Sequence, residues 1–372
     1  MANGLAPYLL NDLKTLVGSA YPGQKIDLKG FLAFITSGAG ANPIETYTLA
    51  GHKKEVRFWY RQRNTKIQTD TVASCDQVLT PSRKEYTVSV GNTRQIAWHL
   101  PDELVASYME EASQRVSIPG GPMDGASAEL FDIILGGANA ILEGVNDDLL
   151  GLLSFGKNKV SGNNSATTLN ISKDTNIQAL NAGFPKLLSD YKRNNLTGRP
   201  QIVGAGLMFN YILSQQFKGM DQSGVDSRIS TGNVDFYVDQ DFADLFGADH
   251  IGVFEPGSIQ MVEYLEYTGF KAGQKPGASE FGVIALPAVD SYGQVLPIKF
   301  DWQLKYNDCP TTLYEAYGTG GASATYQKGW SFIMKKDFGL FQLPSDTYRQ
   351  EDPNISVNGA LRYNVTNACD AC

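Results

Sequence analysis

The chain has 372 residues, 42% of them apolar, 19% charged and 11% aromatic, with a formal net charge of −8. That composition excludes a mainly disordered chain and gives material for two or three domains with a sizeable core. The acidic balance argues against a nucleic-acid binder that works by neutralising phosphates, four cysteines make no disulfide framework, and no apolar run reaches the roughly 18–20 residues that a membrane span needs.

The first residues lack the basic start and long apolar stretch of a secretory signal. Within "APYLLNDLKTLVG", Leu9, Leu10, Leu13, Leu16 and Val17 share a helical face. Residues 18–50 are rich in Gly and Pro, show no period and read as an extended arm. "EVRFWYRQR" then alternates Val56, Phe58 and Tyr60 with Arg57, Trp59 and Arg61, and "EYTVSV" alternates in the same way, so the two predict paired strands. The connection between them, about twenty residues, far exceeds an ordinary hairpin loop and reads as a projecting arm that finds partners elsewhere.

"PDELVASYMEEASQR" predicts a short helix. A longer one is predicted from Ser127 to Leu153, with Leu130, Ile134, Ala138, Ile141, Val145, Leu149 and Leu152 along one stripe. From residue 176 the pattern turns α/β. A helix reaches Asn194, followed by the strand "PQIVG", the helix "LMFNYILSQQF" and the strands "DFYVD", "HIGVFE", "IQMVEYLEY" and "FGVIALPAV". A long strand "LPIKFDWQLKYND" ends at Cys309-Pro310, and residues 311–372 mix the glycines of "GTGGAS" with "GWSFIMKKDFGLFQLP".

Charge is segregated along the chain. Residues 51–100 hold nine Lys/Arg against four Asp/Glu, whereas residues 123–155 hold six acids (Asp124, Glu129, Asp132, Glu143, Asp147 and Asp148) and no Lys or Arg. Between copies of the chain, such complementary segments would steer and register docking. Arg57, Arg61, Arg63 and Lys66 on the basic side, and Glu129, Asp132 and Glu143 on the acidic side, are therefore candidate intersubunit contacts.

Signs of catalysis are weak. His52, His99 and His250 lie far apart and outside any catalytic motif; His99, just before Pro101, suggests a helix-terminus role. "GAGLMF" has Phe209 where a dinucleotide site needs its third glycine. "DFYVDQD" brings Asp235, Asp239 and Asp241 together, with Asp239 and Asp241 on one strand face where they could hold Mg²⁺ or Ca²⁺; a solvated strand end competes with that reading. Cys369 and Cys372 form a C-x-x-C with no second pair to complete a zinc site. They are a passive tail, a partial metal site completed by another copy, or thiols that cross-link copies, with each other or with Cys75 or Cys309.

The hairpin at 52–98, the long helix at 124–153, "RPQIVGAGLMFNYILSQQ", and "FGLFQLPSDTY" followed by "VNGALRYN" together resemble the major capsid protein family of tailed bacteriophages, whose fold is shared with encapsulin shells. The resemblance implies an α+β coat-protein fold: an N-terminal arm (1–50), an extended hairpin loop (51–100), a peripheral domain with a spine helix (101–175), an α/β axial domain (176–294), and a return strand to the peripheral domain with the C-terminal segment (295–372). It implies a non-enzymatic shell protein of the virion, without cofactors, assembled in host cytoplasm. Its partners would be copies of itself in pentamers and hexamers, a portal, scaffold or decoration proteins, and packaged DNA only through weak non-specific contact, with no membrane. Both termini are expected to be tethered and to carry no cleaved propeptide. Other readings stay open: an encapsulin-like compartment, a tail or decoration protein, or a metal-dependent α/β enzyme using "DFYVDQD".

Overall fold

The computed structural model describes residues 26–36, 46–48, 54–61, 83–117, 125–157, 166–171, 183–212, 234–269, 280–289, 295–313, 323–345 and 357–367. Its strands are β1 (Ile26–Asp27), β2 (Thr46–Thr48), β3 (Glu55–Arg61), β4 (Arg83–Ser89), β5 (Asn92–Pro101), β6 (Thr167–Asn170), β7 (Gln201–Gly204), β8 (Asp235–Val238), β9 (His250–Phe254), β10 (Ile259–Tyr264), β11 (Glu280–Val289), β12 (Val295–Leu313), β13 (Ser323–Gln342) and β14 (Ala360–Thr366). Its helices are α1 (Gly30–Thr36), α2 (Asp102–Ser117), α3 (Ala126–Leu152), α4 (Gly183–Arg193) and α5 (Gln240–Phe246), with a further helical turn at 207–212. The fold is α+β. The chain divides into two compact units, one of residues 1–28, 92–145 and 263–338, the other of residues 29–91, 146–262 and 339–372.

In the first unit β11, β12 and β13 run antiparallel, β5 pairs with β13, and β1 lies parallel to the end of β11. The register sets Phe332 opposite both Trp98 and Leu304, and Phe332 stacks on Trp98 at 6.0 Å and on Trp302 at 6.3 Å. The predicted α3 stripe supplies much of this core: Leu130, Ile134, Ala138, Ile141 and Val145 are buried. The N-terminus of α3 is satisfied from α2, whose Glu111 carboxylate accepts bonds from the Ala126 and Ser127 N–H groups and the Ser127 hydroxyl. That caps donors every helix start leaves open and places negative charge at the positive dipole end.

The second unit holds a mixed sheet in the order β6-β14-β9-β7-β8 and a small antiparallel sheet β2-β3-β4. Phe58 of β3 is buried and stacks on Phe341 at 4.1 Å. Helix α1 packs on β7 and β8; its Phe31 and Phe34 join Phe254 in a buried aromatic cluster.

Three expectations change. Residues 30–36, expected within an extended arm, form the buried helix α1; "GFLAFIT" is apolar on nearly every side, so it shows no helical period. Strand β12 runs past Cys309-Pro310 to Leu313, with register irregularities between Asn307 and Thr311 and between Thr311 and Leu313. Pro310 cannot donate a ladder bond, and the strand accommodates it at this break. Residues 323–342, within the stretch to which the sequence reading assigns no element, form the 20-residue strand β13.

Candidate functional site

The acidic surface is built by α3. Glu129, Asp132, Gly136, Ala140, Glu143 and Asp147 are all exposed, and spacings of three and four residues set them in one row along the helix. Opposite this row lies the apolar stripe, so burying the stripe fixes which way the acids point. Small residues at its middle, Gly136 and Ala140, leave the centre low, with acids at both ends.

The basic segment is only partly described. Strands β3 and β4 pair over their whole length, from Glu55↔Ser89 to Arg61↔Arg83, as the alternation predicted. Arg57 is half-exposed with Nε 3.0 Å from Glu85 Oε1 on β4, so its charge is partly answered within the chain. The side chain of Arg61, and Arg63 and Lys66 entirely, lie outside the described residues, as do Cys75, Cys369, Cys372 and His52. Cys309 is on β12, its side chain also outside them.

The three aspartates of "DFYVDQD" do not share one site: Asp239 and Asp241 both accept from Asn146 Nδ2, and Asp235 pairs elsewhere. Strand β8 stops at Val238, so the expected common strand face for Asp239 and Asp241 does not exist. Asp235 pairs with Arg199 at 2.9 Å. Asp239 is the N-cap of α5, accepting from the Phe242 N–H at 3.1 Å, and its other oxygen accepts from the Phe31 N–H at 2.6 Å. Asp241, in the first turn of α5, accepts from Asn146 Nδ2 at 3.0 Å and lies 3.8 Å from Lys29 Nζ. Burial pushes the Asp239 carboxyl above the ordinary aspartate range, against the backbone N–H bonds that favour its charge. Among the described residues, no group of three or more His, Cys, Asp or Glu is arranged to hold a metal.

His99 sits in β5 rather than at a helix start: α2 begins at Asp102, and His99 pairs in register with Ser331. Neither ring nitrogen, both buried, has a hydrogen-bond partner. The glycine of "GAGLMF" that ends β7 answers to packing, since a Cβ on Gly204 would lie 2.8 Å from Ile251 Cγ2.

Three buried polar side chains central to the two units belong to no motif of the sequence. Asn146 lies buried on the apolar stripe of α3; a polar residue at that position is the sequence signal for it. In the first unit, Lys336 is buried in β13, its ammonium on Glu263 and on the Lys299 carbonyl, while buried Asp301 accepts from the Glu266 and Tyr267 N–H groups at 2.8 and 3.2 Å.

An open pocket of about 360 Å³ in the second unit lies between Tyr86, Leu152, Phe155, Leu340 and Pro344. Its floor is a closed amide network. Gln342 Oε1 accepts from the Ser154 N–H and hydroxyl, Gln342 Nε2 donates to the Ser154 carbonyl, and Asn358 Nδ2 donates there too.

The sequence matches no protein-family model and no curated protein. Solved structures similar to it include a chain of the Cyanophage A-1(L) capsid asymmetric unit, at 10% identity over 93% of this chain and 96% of that one, TM-score 0.47. A chain from Mycobacterium phage Adephagia is similar at 8% identity over 96% and 97%, TM-score 0.46, and one from the capsid of an empty GTA particle at 9% identity over 89% and 96%, TM-score 0.39.

Proposed function

We propose that this chain is the major capsid protein of a tailed bacteriophage, and that its work is self-assembly into the icosahedral shell around the genome. The observation that carries the reading is the solvent face of α3. This row of exposed acids, in a stretch of 33 residues (123–155) without Lys or Arg, is matched in the same chain by the net positive segment 51–100. A surface and its complement on one polypeptide are what heterologous contacts between identical copies require, and such contacts close into rings. Rings of five and six copies make the shell. Apolar burial at about 25 cal/mol per Å² supplies much of the drive, and the charges set register.

Within this reading, residues 1–50 are the N-terminal segment, an arm apart from the buried helix α1, 51–100 the extended loop, 101–175 the peripheral domain with α3 as its spine, 176–294 the axial domain and 295–372 the return strand and C-terminal segment. The protein acts without catalysis or cofactor, assembles in host cytoplasm and meets a portal, with scaffold or decoration proteins as further partners. Its acidic balance keeps contact with packaged DNA weak.

Electron microscopy of the expressed full chain tests the proposal. Closed shells are expected, and a persistent monomer refutes it. Changing Arg57, Arg61 and Arg63 together to Glu is expected to abolish shells while the monomer keeps its melting transition; normal particles from that variant would overturn the charge-register mechanism. Shells that carry a protein cargo instead of DNA in infected or producing cells would point to a compartment. A non-reducing gel of the particles decides whether Cys75, Cys309, Cys369 and Cys372 cross-link copies: bands above the monomer are expected if they do.

A further inference from the structure

Two of the points at which the chain passes from one unit to the other are Leu28–Lys29 and Val145–Asn146. Immediately after each, within the second unit, the chain is tied to the same buried carboxylate. Asp239 accepts from the Phe31 N–H at 2.6 Å and from Asn146 Nδ2 at 3.3 Å, while it caps α5 through the Phe242 N–H. Asn146 closes the circuit: its Oδ1 accepts from the Leu32 N–H at 3.1 Å, and its Nδ2 also reaches Asp241. Lys29 stands on the outer side of Asp241. Backbone packing adds an independent constraint, because a Cβ on Gly30 would lie 2.0 Å from the Val238 carbonyl oxygen. The start of α1 is thus flush against the residue that leads into Asp239.

We propose that Asp239 and Asn146 form a conformational clasp within the second unit, so that α1, the end of α3 and α5 hold or release together. The two passages are more than one hundred residues apart in sequence, and a single side-chain amide bonds both the α1 backbone and the α5 cap. Asn146 and Asp239 are both buried and each makes three of these bonds, so opening the circuit strands a buried polar group. A cooperative unit of this kind opens as a whole, with one free energy for all its amides.

Hydrogen–deuterium exchange of the full chain, read by mass spectrometry, tests this. In Asn146→Ala, peptides covering 29–36 and 239–246 are expected to exchange about tenfold faster together with 146–152, the loss matching one buried hydrogen bond, while 295–304 in the first unit is unchanged. A rise confined to 146–152 overturns the proposal, as does a uniform rise across the chain. Asp241→Ala, which removes only the outer arm, serves if Asn146→Ala does not fold. It is expected to give the same joint pattern with a smaller amplitude, and a change at 239–246 alone overturns the proposal equally. The readout does not require shell formation, so it stands or falls apart from the assembly reading.

Discussion

Trp98 of β5 lies directly on Gly137 of α3, so closely that a Cβ on the glycine would come within 1.7 Å of ring atom Cζ2. Two helical turns on, Arg94 lies against Gly144, where a Cβ would meet Cδ at 3.3 Å. The glycines of α3 are therefore of two kinds. Gly137 and Gly144 face side chains of β5, whereas Gly136 has nothing within 4 Å of where its Cβ would stand.

Gly137→Ala forces the indole out of its stack on Phe332 and is expected to cost about 1–3 kcal/mol, the range for overpacking a core. Gly136→Ala, one residue away on the exposed side, is expected to stabilise by up to about 1 kcal/mol through helix propensity. Denaturant melts of the two variants check the pair, and equal effects would contradict the packing described.

Lys336 and Glu263 form an ion pair whose two ends differ in burial. The lysine side chain is 1% exposed and the glutamate 27%. Removing the buried cation leaves a carboxylate that water can reach, so Lys336→Met is expected to be neutral within about 1 kcal/mol. Removing the acid strands a cation inside the sheet, so Glu263→Ala is expected to cost about 3 kcal/mol. Urea unfolding midpoints at neutral pH measure the asymmetry, and the reverse order would show the pair to be solvated.

Elements with a clean period were legible in the sequence, and elements dominated by local chemistry were not. The stripe from Leu130 to Leu149 predicted α3 to within a residue or two, and alternation in "EVRFWYR" predicted β3 with its partner. β5 escaped because Thr93, Arg94 and Gln95 are exposed in succession, so its outer half carries no alternation. β13 escaped because Lys335-Lys336-Asp337 reads as a polar break, although Lys336 and Asp337 are buried in the sheet by partners distant in sequence. The acidic row was visible as composition, but its geometry depended on which face of α3 is buried. "DFYVDQD" differs for a related reason: Asp239 is the N-cap and Asp241 the first-turn acid of a seven-residue helix that follows β8 without a loop, so its helix signals fall inside an apparent strand.

Gln342 holds residue 154 much as a neighbouring strand would, its amide oxygen taking the N–H and its amide nitrogen serving the carbonyl. Gln342→Ala opens the floor of the pocket to water, which replaces most of what is lost. The expected cost is about 1 kcal/mol, with faster amide exchange confined to the residues that follow α3. An effect spread over the whole second unit would mean that this network supports more than the exit from the helix.

Tyr363 is buried in β14 with its hydroxyl 3.4 Å from Asp190 Oδ2. Burial, and then the Asp190 charge, push its pKa far above the ordinary tyrosine value. The unfolded chain releases this proton near pH 10 and the folded chain holds it well beyond. The contribution is thus fully present below pH 10; above it, stability falls by about 1.4 kcal/mol per pH unit. Tyr363→Phe removes that alkaline slope. Its cost at neutral pH is expected to be about 1 kcal/mol or less, because Asp190 keeps Lys186 at 2.8 Å. Melting of the two proteins between pH 8 and 11 should therefore show curves that start close together and converge or cross as pH rises. Parallel curves would place the alkaline sensitivity on another group.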